Sequence, residues 1–432
     1  MMKKVTLSII GCGARGSGTY AEMALTKFKD RCEIVAIAEP DEERRKLLQT
    51  RCHLPDDRCF KTGDDLLKEE RLSQALVIAT MDQQHVVYAI SALQKGYDLL
   101  LEKPISPSLH ECLRLEEEYQ KHQQNVVVCH VLRYNVFYGA IKRILNEGKL
   151  GQIINVEASE NVGYWHMAHS FVRGNWGCAK DSSQMILQKS CHDMDIFVWL
   201  LGSSCRQISS LGSLSVFRKD KAPEGATLRC LDCPIKDCIF DARKIYLTNK
   251  LTGYDEGNRG WPMVPYLTPI CTRERILEAL KDGPYGRCVY HCDNDVVDHQ
   301  VSLIEMANGV IVSFTMSAFS AKPHRMIKIM GTLGSLSGDD DESELIYHNF
   351  QTGGEEKIPL AEEAHHQGHG GGDLGLFEDF LEVEEGKPRP DNLTSLPVSL
   401  ESHYMAFAAE KSRLAGGAPI RIEEMKKEHC EN

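Results

Sequence analysis

Long apolar runs are missing from this 432-residue chain: none approaches the roughly 20 residues that a membrane-spanning helix needs. The first apolar stretch, Val5–Ile10, is too short for the core of a signal peptide, and Gly11 breaks it at once. A cytoplasmic protein is expected. Positive charge is also in deficit. Fifty Lys and Arg against 62 Asp and Glu leave a net charge of −12. Such a surface argues against nucleic acid or an anionic membrane as the main partner. The remaining composition, 42% apolar and 26% charged, is that of an ordinary soluble globular protein. The length exceeds what one hydrophobic core serves, so two domains are expected.

The N-terminal third alternates apolar runs with helical stretches. Val5–Ile10, Glu33–Ala38, Ala75–Thr80, Tyr97–Leu101 and Val126–Cys129 read as strands, with helices at about 41–51, 83–95 and 109–122 among them. This is the signature of an α/β fold with a doubly wound parallel sheet, whose ligands bind beyond the carboxyl ends of the strands. The first crossing carries Gly11-Cys12-Gly13-Ala14-Arg15-Gly16. A lone G-x-G-x-x-G is weak evidence, but here it follows a strand and opens a helix, the context that dinucleotide binding requires. Gly11 permits the turn, Gly13 the approach of a pyrophosphate, and Gly16 the packing of helix on strand. Glu39, after the second strand, can accept from a ribose 2′-hydroxyl and would repel a 2′-phosphate, which favours NAD over NADP. A surface carboxylate at a strand end is the plainer alternative.

Further text narrows the reading: Ala79-Thr80-x-Asp82-x-x-His85, then Glu102-Lys103-Pro104 at a strand end, Arg133-Tyr134, and the strand-turn-strand run Ile329–Leu336. Together with the fingerprint this resembles the glucose–fructose oxidoreductase and inositol dehydrogenase (Gfo/Idh/MocA) family, over most of the chain. The resemblance implies a Rossmann domain over residues 1–130. It implies a second α+β domain over 131–432, with an open, mostly antiparallel sheet that carries substrate and often pairs into dimers or tetramers. Strand patterns at Gln152–Asn161, Gln207–Phe217, Val296–Met306, Val310–Ser320 and Met326–Met330 are compatible, and Asn308-Gly309 marks a hairpin. The resemblance makes Gly11, Gly13, Ala14, Arg15, Gly16, Glu39, Thr80, Asp82, His85, Glu102 and Lys103 the expected cofactor-binding set. It also makes Lys103 the group that exchanges a proton near the nicotinamide. A desolvated ammonium beside NAD+ suits that task.

Ser190-Cys191-His192-Asp193-Met194-Asp195 is the second catalytic candidate. Ser190 with Asp193 reads as a capping box, which places His192 in a first helical turn, where the positive helix end keeps the imidazole neutral and fit to act as a base. Asp195 is expected within reach of the ring. The family pattern has Asp one helical turn before this histidine. Here Gln188 stands there and cannot take a proton, so any relay leans on Lys103 and His192. The loop 161–176 is rich in aromatics, His and Arg, and suits a sugar, with aromatic faces against ring C–H. Tyr164, His166, His169, Arg173 and Asp195 are the expected substrate contacts. His369 joins them from the Gly-rich text His365–Asp373, which could also be a loop capped by Asp373.

Of the sixteen cysteines, eleven are scattered and read as free thiols. Five cluster in a Gly- and Pro-rich insertion at about 219–292. Cys230-x-x-Cys233 and Cys238, with Cys292 or Cys288, have the spacing of a closed tetrahedral zinc site, structural rather than catalytic. Iron–sulfur ligation and free thiols are the alternatives. The expected function is NAD-dependent oxidation of a hydroxyl-bearing ring carbon of a sugar, glycoside or cyclitol by a homo-oligomeric enzyme. The rival keeps the fold: a redox-assisted glycoside hydrolase that oxidises, eliminates, adds water and returns the hydride. A non-catalytic NAD-binding regulator is a third possibility.

Overall fold

The computed structural model describes residues 4–360 and 369–430, without the side chains of His429 and Cys430. Strands β1 (Val5–Ile10), β2 (Cys32–Ala38), β3 (Cys59–Phe60), β4 (Ala75–Ile78), β5 (Asp98–Leu101) and β6 (Val126–Val128) form one parallel sheet. Their spatial order is β3-β2-β1-β4-β5-β6. The order reverses between β1 and β4, where a doubly wound sheet opens a crevice for ligand. Alternate residues serve two cores, as the two-residue strand period requires. Leu76, Ile78, Leu99 and Leu101 face the core of helices 85–94 and 109–119. Val5, Leu7, Ile9, Ala75, Val77 and Leu100 face the other.

That second core is closed from far along the chain. The helix Gly372–Glu384 lays Leu376, Phe377, Phe380 and Leu381 on it. Phe377 meets Phe28 edge-on with ring centres 5.5 Å apart, and Arg31 is clamped by Glu385 at 2.8 Å. Residues 372–393 therefore belong to the core of the N-terminal unit, across the boundary expected near residue 130.

The second sheet has nine strands: β7 (Ile153–Asn161), β8 (Cys205–Ser213), β9 (His299–Met306), β10 (Ile311–Ser317), β11 (His324–Gly331), β12 (Gly334–Asp339), β13 (Glu344–Asn349), β14 (Glu355–Pro359) and β15 (Ile420–Arg421). The order is β14-β13-β12-β11-β7-β10-β9-β8-β15. Only the β7–β10 pair is parallel, so the sheet is mixed and mostly antiparallel. Gly309 takes φ +89° between β9 and β10, as the Asn-Gly turn requires. Helices Met185–Leu201 and Leu396–Leu414 cover one face. On the other, Ile154, Leu211, Val301, Leu303, Ile311 and Met326 are exposed.

Candidate active site

Loops leaving the carboxyl ends of β1, β2, β4 and β5 meet at one edge of the parallel sheet. Gly11 has φ +93°, and a Cβ there would lie 2.4 Å from the Ala79 carbonyl oxygen. A Cβ on Gly16 would lie 1.8 Å from the Gly11 carbonyl oxygen, yet one on Gly13 would meet nothing within 4 Å. Two glycines thus permit close packing, and Gly13 and Ala14 leave an open cradle of the kind a pyrophosphate fills. Buried Glu39 stands at the rim. Its Oε2 accepts from the Cys12 N–H at 2.7 Å and its Oε1 from the Asp41 N–H at 3.0 Å. Each oxygen keeps a lone pair for a ribose hydroxyl. The residues present therefore fit NAD.

Four expected cofactor contacts hold the frame instead. The Arg15 guanidinium binds Glu102 (2.5 Å), Asp373 (2.7 Å) and the Tyr20 hydroxyl (2.8 Å). Glu102 also accepts from Tyr20 at 2.6 Å, so neither charged side chain is free for a nucleotide. Burial opposes ionisation of Asp373, but Arg15 and His369 outweigh it and hold its carboxyl far below the usual range. The ring nitrogens of buried His85 face the carbonyl oxygens of Thr80 (3.1 Å) and Pro104 (2.7 Å), tying the end of β4 to the Lys103 turn. Buried Asp82 accepts from Ser183 Oγ at 2.7 Å. The Gln188 carboxamide, oriented to donate to Asp82 Oδ2 at 2.8 Å, accepts from Trp176 Nε1 at 2.8 Å.

Lys103 follows β5 and reaches the helix 185–201, where its Nζ donates to the Gln188 carbonyl at 3.0 Å. His192 lies one turn further along that helix. It is not in a first turn: Met185, Ile186 and Leu187 are buried and start the helix earlier, and Ser190 Oγ is buried without a partner among the described residues rather than capping. His192 is nonetheless held neutral, by burial first and then by Lys103, His130, Arg325 and His369. Its Nδ1 is a buried atom with no partner among the described residues. The His369 ring stands 6.3 Å from it, centre to centre, and its Nδ1 pairs with Asp373 at 2.8 Å. A chain of contacts thus runs from the glycine loop through Arg15, Asp373 and His369 to His192. His365, His366, Gln367 and Gly368 lie outside the described residues.

Three substrate picks are corrected. Asp195 does not approach His192; Arg133 engages both its oxygens, at 2.6 and 2.7 Å, in a buried pair. Arg173 is 1% exposed and donates to the carbonyls of Arg287 (2.7 Å) and Phe240 (2.6 Å), deep under the insertion. His169 is fully buried, with Nδ1 against the Tyr246 hydroxyl at 2.8 Å and its ring stacked on Tyr285. Tyr164 is half-buried and accepts from Asn249 Nδ2 at 3.1 Å. His166 lies within electrostatic reach of Lys103. Burial, then Lys189, His169 and Lys103, push its pKa well down, and its Nδ1 has no partner among the described residues. Trp261 of the insertion closes against it, ring centres 4.7 Å apart.

Several side chains of the site carry no sequence signal of their own. Lys189 pairs with Glu160 at 3.2 Å, and Arg325 joins Glu160 and Asp193. Burial and Glu160 push the Asp193 carboxyl up against the pull of Arg325. These groups come from β7, β11 and the helix 185–201, and only the tertiary fold brings them beside Lys103. In the insertion, Arg44 donates to the Pro265 carbonyl at 3.4 Å, so the segment reaches the nucleotide-side helix. None of the fifteen cysteines with described side chains forms a disulfide. Among the described residues no group of three or more His, Cys, Asp or Glu is arranged to hold a metal ion, so the expected zinc site is not preformed.

An open glycine cradle, an acidic rim residue and a Lys–His pair at the sheet edge define the class of NAD-linked oxidoreductases. The chain belongs to the Gfo/Idh/MocA family. That family's "oxidoreductase family, NAD-binding Rossmann fold" profile matches residues 5–130, and its "C-terminal alpha/beta domain" profile matches residues 142–395. YteT of Bacillus subtilis (strain 168), an oxidoreductase by name alone, is 23% identical over 97% of this chain and 98% of its own. An inositol 2-dehydrogenase of Leifsonia xyli subsp. xyli is 28% identical over 50% of this chain and 59% of its own. The fold is shared with an inositol dehydrogenase homolog from Azotobacter vinelandii solved with NAD+, at TM-score 0.68, 14% identity and 97% coverage of both chains. No helix among the described residues is long and apolar enough to cross a membrane.

Proposed function

We propose that the protein is a dehydrogenase that uses NAD in preference to NADP and oxidises a hydroxyl-bearing ring carbon of a sugar, glycoside or cyclitol. The observation that carries this reading is His192, neutral and with a buried Nδ1 that has no partner among the described residues, standing with Lys103 beside the glycine cradle. Bound NAD+ supplies the hydride acceptor. The substrate hydroxyl proton passes to the Lys103–His192 pair, Lys103 being positioned by its bond to the Gln188 carbonyl and by the His85 clamp on Pro104. General acid–base groups of this kind contribute about 10²–10⁴-fold. Inositol 2-dehydrogenases among the relatives support a cyclitol or sugar as the class. The exposed apolar residues of the open sheet face support a second copy as its cover. Sedimentation should show a dimer or larger.

His166 favours a second reading. It supplies an additional neutral imidazole close to Lys103, and redox-assisted glycoside hydrolysis needs an extra base. Incubation with a panel of sugars and glycosides in deuterated water, following NADH and aglycone together, tests both. Lasting NADH with the aglycone attached supports the dehydrogenase. Aglycone release at catalytic NAD, with deuterium beside the oxidised carbon, overturns it.

A further inference from the structure

The chemistry at Lys103 makes no use of a small cavity inside the insertion. Cys230, Cys233, Cys238 and Cys288 all line it, with Arg173, Phe240 and Tyr290. Cys292 is not in the lining; its Sγ turns to the Cys288 carbonyl at 3.3 Å. We propose that Cys230, Cys233, Cys238 and Cys288 bind one zinc ion as a tetrathiolate, pinning the start of the insertion to its end.

Two observations besides the spacing point to an ion. Peptide N–H groups two residues on lie against three of the sulfurs: Ile235 at Cys233, Phe240 at Cys238 and Tyr290 at Cys288. These contacts work against the burial that raises the Cys238 and Cys288 thiols, and a ligand sulfur accepts from an amide better than a thiol does, since a thiol sulfur is a weak acceptor. The second is Arg173. Its guanidinium is buried, Nη2 donates to Cys230 Sγ at 3.4 Å, and no carboxylate pairs with it among the described residues. A buried cation requires a compensating charge. Four neutral thiols provide none, whereas a divalent ion on four thiolates carries a double negative charge beside it. The sulfurs are not gathered into ligand geometry. Drawing them in to about 2.3 Å is what the ion does, because binding and ordering of a tetrathiolate are one event. With no open coordination position, the ion is structural.

The test is elemental analysis of the intact protein purified without added metal. About one zinc per chain is expected. Cys292→Ser should keep it, and Cys233→Ser should lose it. Exchange of cobalt for zinc in the wild type should give the intense visible bands of a tetrahedral thiolate site, and Cys292→Ser should give the same spectrum. Zinc near zero in folded wild type, with Cys230, Cys233, Cys238, Cys288 and Cys292 all open to an aromatic disulfide reagent, overturns the proposal. So does a brown iron chromophore in place of zinc. Loss of the ion from Cys292→Ser but not from Cys288→Ser overturns the choice of fourth ligand. Wild-type and Cys292→Ser results stand even if a ligand variant fails to fold.

Discussion

Asp195→Ala separates a structural carboxylate from a substrate-binding one. Asp195 and Arg133 are 1% and 2% exposed at their side chains and meet through two N–H···O contacts. Burial pushes the Asp195 carboxyl up in spite of Arg133, so desolvation offsets much of what the pair gains. Removing one partner is a different matter. Asp195→Ala leaves a guanidinium enclosed without a counter-charge, and breaking a buried pair in this way costs about 3–5 kcal/mol. At about 1.4 kcal/mol per tenfold, the folding equilibrium should fall by two to four orders of magnitude. Urea unfolding followed by circular dichroism reads this directly. Arg133→Met with Asp195→Leu removes both charges and should recover most of the loss. Calorimetric affinity for NAD should be unchanged in every folded variant, because neither residue borders the glycine cradle. An Asp195→Ala protein that unfolds at the wild-type urea concentration but has lost turnover would refute the reasoning and return Asp195 to the substrate.

Lys103→Ala and His192→Ala should each lower turnover by about 10²–10⁴-fold while leaving NAD affinity close to wild type; retained turnover in both would place the chemistry elsewhere. Glu39→Ala should narrow the difference between NAD and NADP in calorimetry, and equal affinities in the wild type would remove the role given to Glu39. Gly13→Ala should fold and bind NAD weakly, because only open space surrounds it, whereas Gly16→Ala should lower stability itself; urea melts and calorimetry on both variants check the contrast. Burial and the neighbouring Asp98 push Glu384 up to about 7. An acid raised on folding takes up a proton as the chain folds, so its contribution falls between about pH 4.3 and 7 and the deficit is full above that. Glu384→Gln should therefore be more stable than wild type at pH 8, on the order of 1–3 kcal/mol, and the gap should close near pH 4; parallel stability profiles would contradict this.

Much of the fold was legible because its determinants are local. The parallel strands are short apolar runs buried on both faces, and the glycine turn and the Asn308-Gly309 hairpin announce themselves through backbone needs that few residues meet. Strands β3 and β13 to β15, at or next to the sheet edges, carry little signal, being short or charged and half-exposed. Lys103 and His192 could be picked out because flanking text marks them, but the reason for a neutral His192 could not. The sequence suggested a helix end. The fold places the residue in mid-helix and achieves the same state by burial and by Lys103, His130, Arg325 and His369 from four other segments. Arg173, His169 and Asp195 show the commonest way such reading fails. A polar residue in an aromatic loop or beside a candidate histidine looks like a ligand contact until its partners, here Phe240, Tyr246 and Arg133, arrive from distant segments.

The helix at 372–384 bears on how the chain is made. Synthesis delivers the six parallel strands first, yet one of their two faces gains Phe377, Phe380 and Leu381 only when the last quarter of the polypeptide emerges. Until then Tyr20, Met23, Phe28 and Leu48 cover that face only in part, and the newly made N-terminal third is exposed to aggregation and to chaperone capture. A fragment cut after residue 130 inherits the same gap, so it would be a poor surrogate for studying cofactor binding. A fragment that carries residues 370–395 on a flexible linker restores the missing layer.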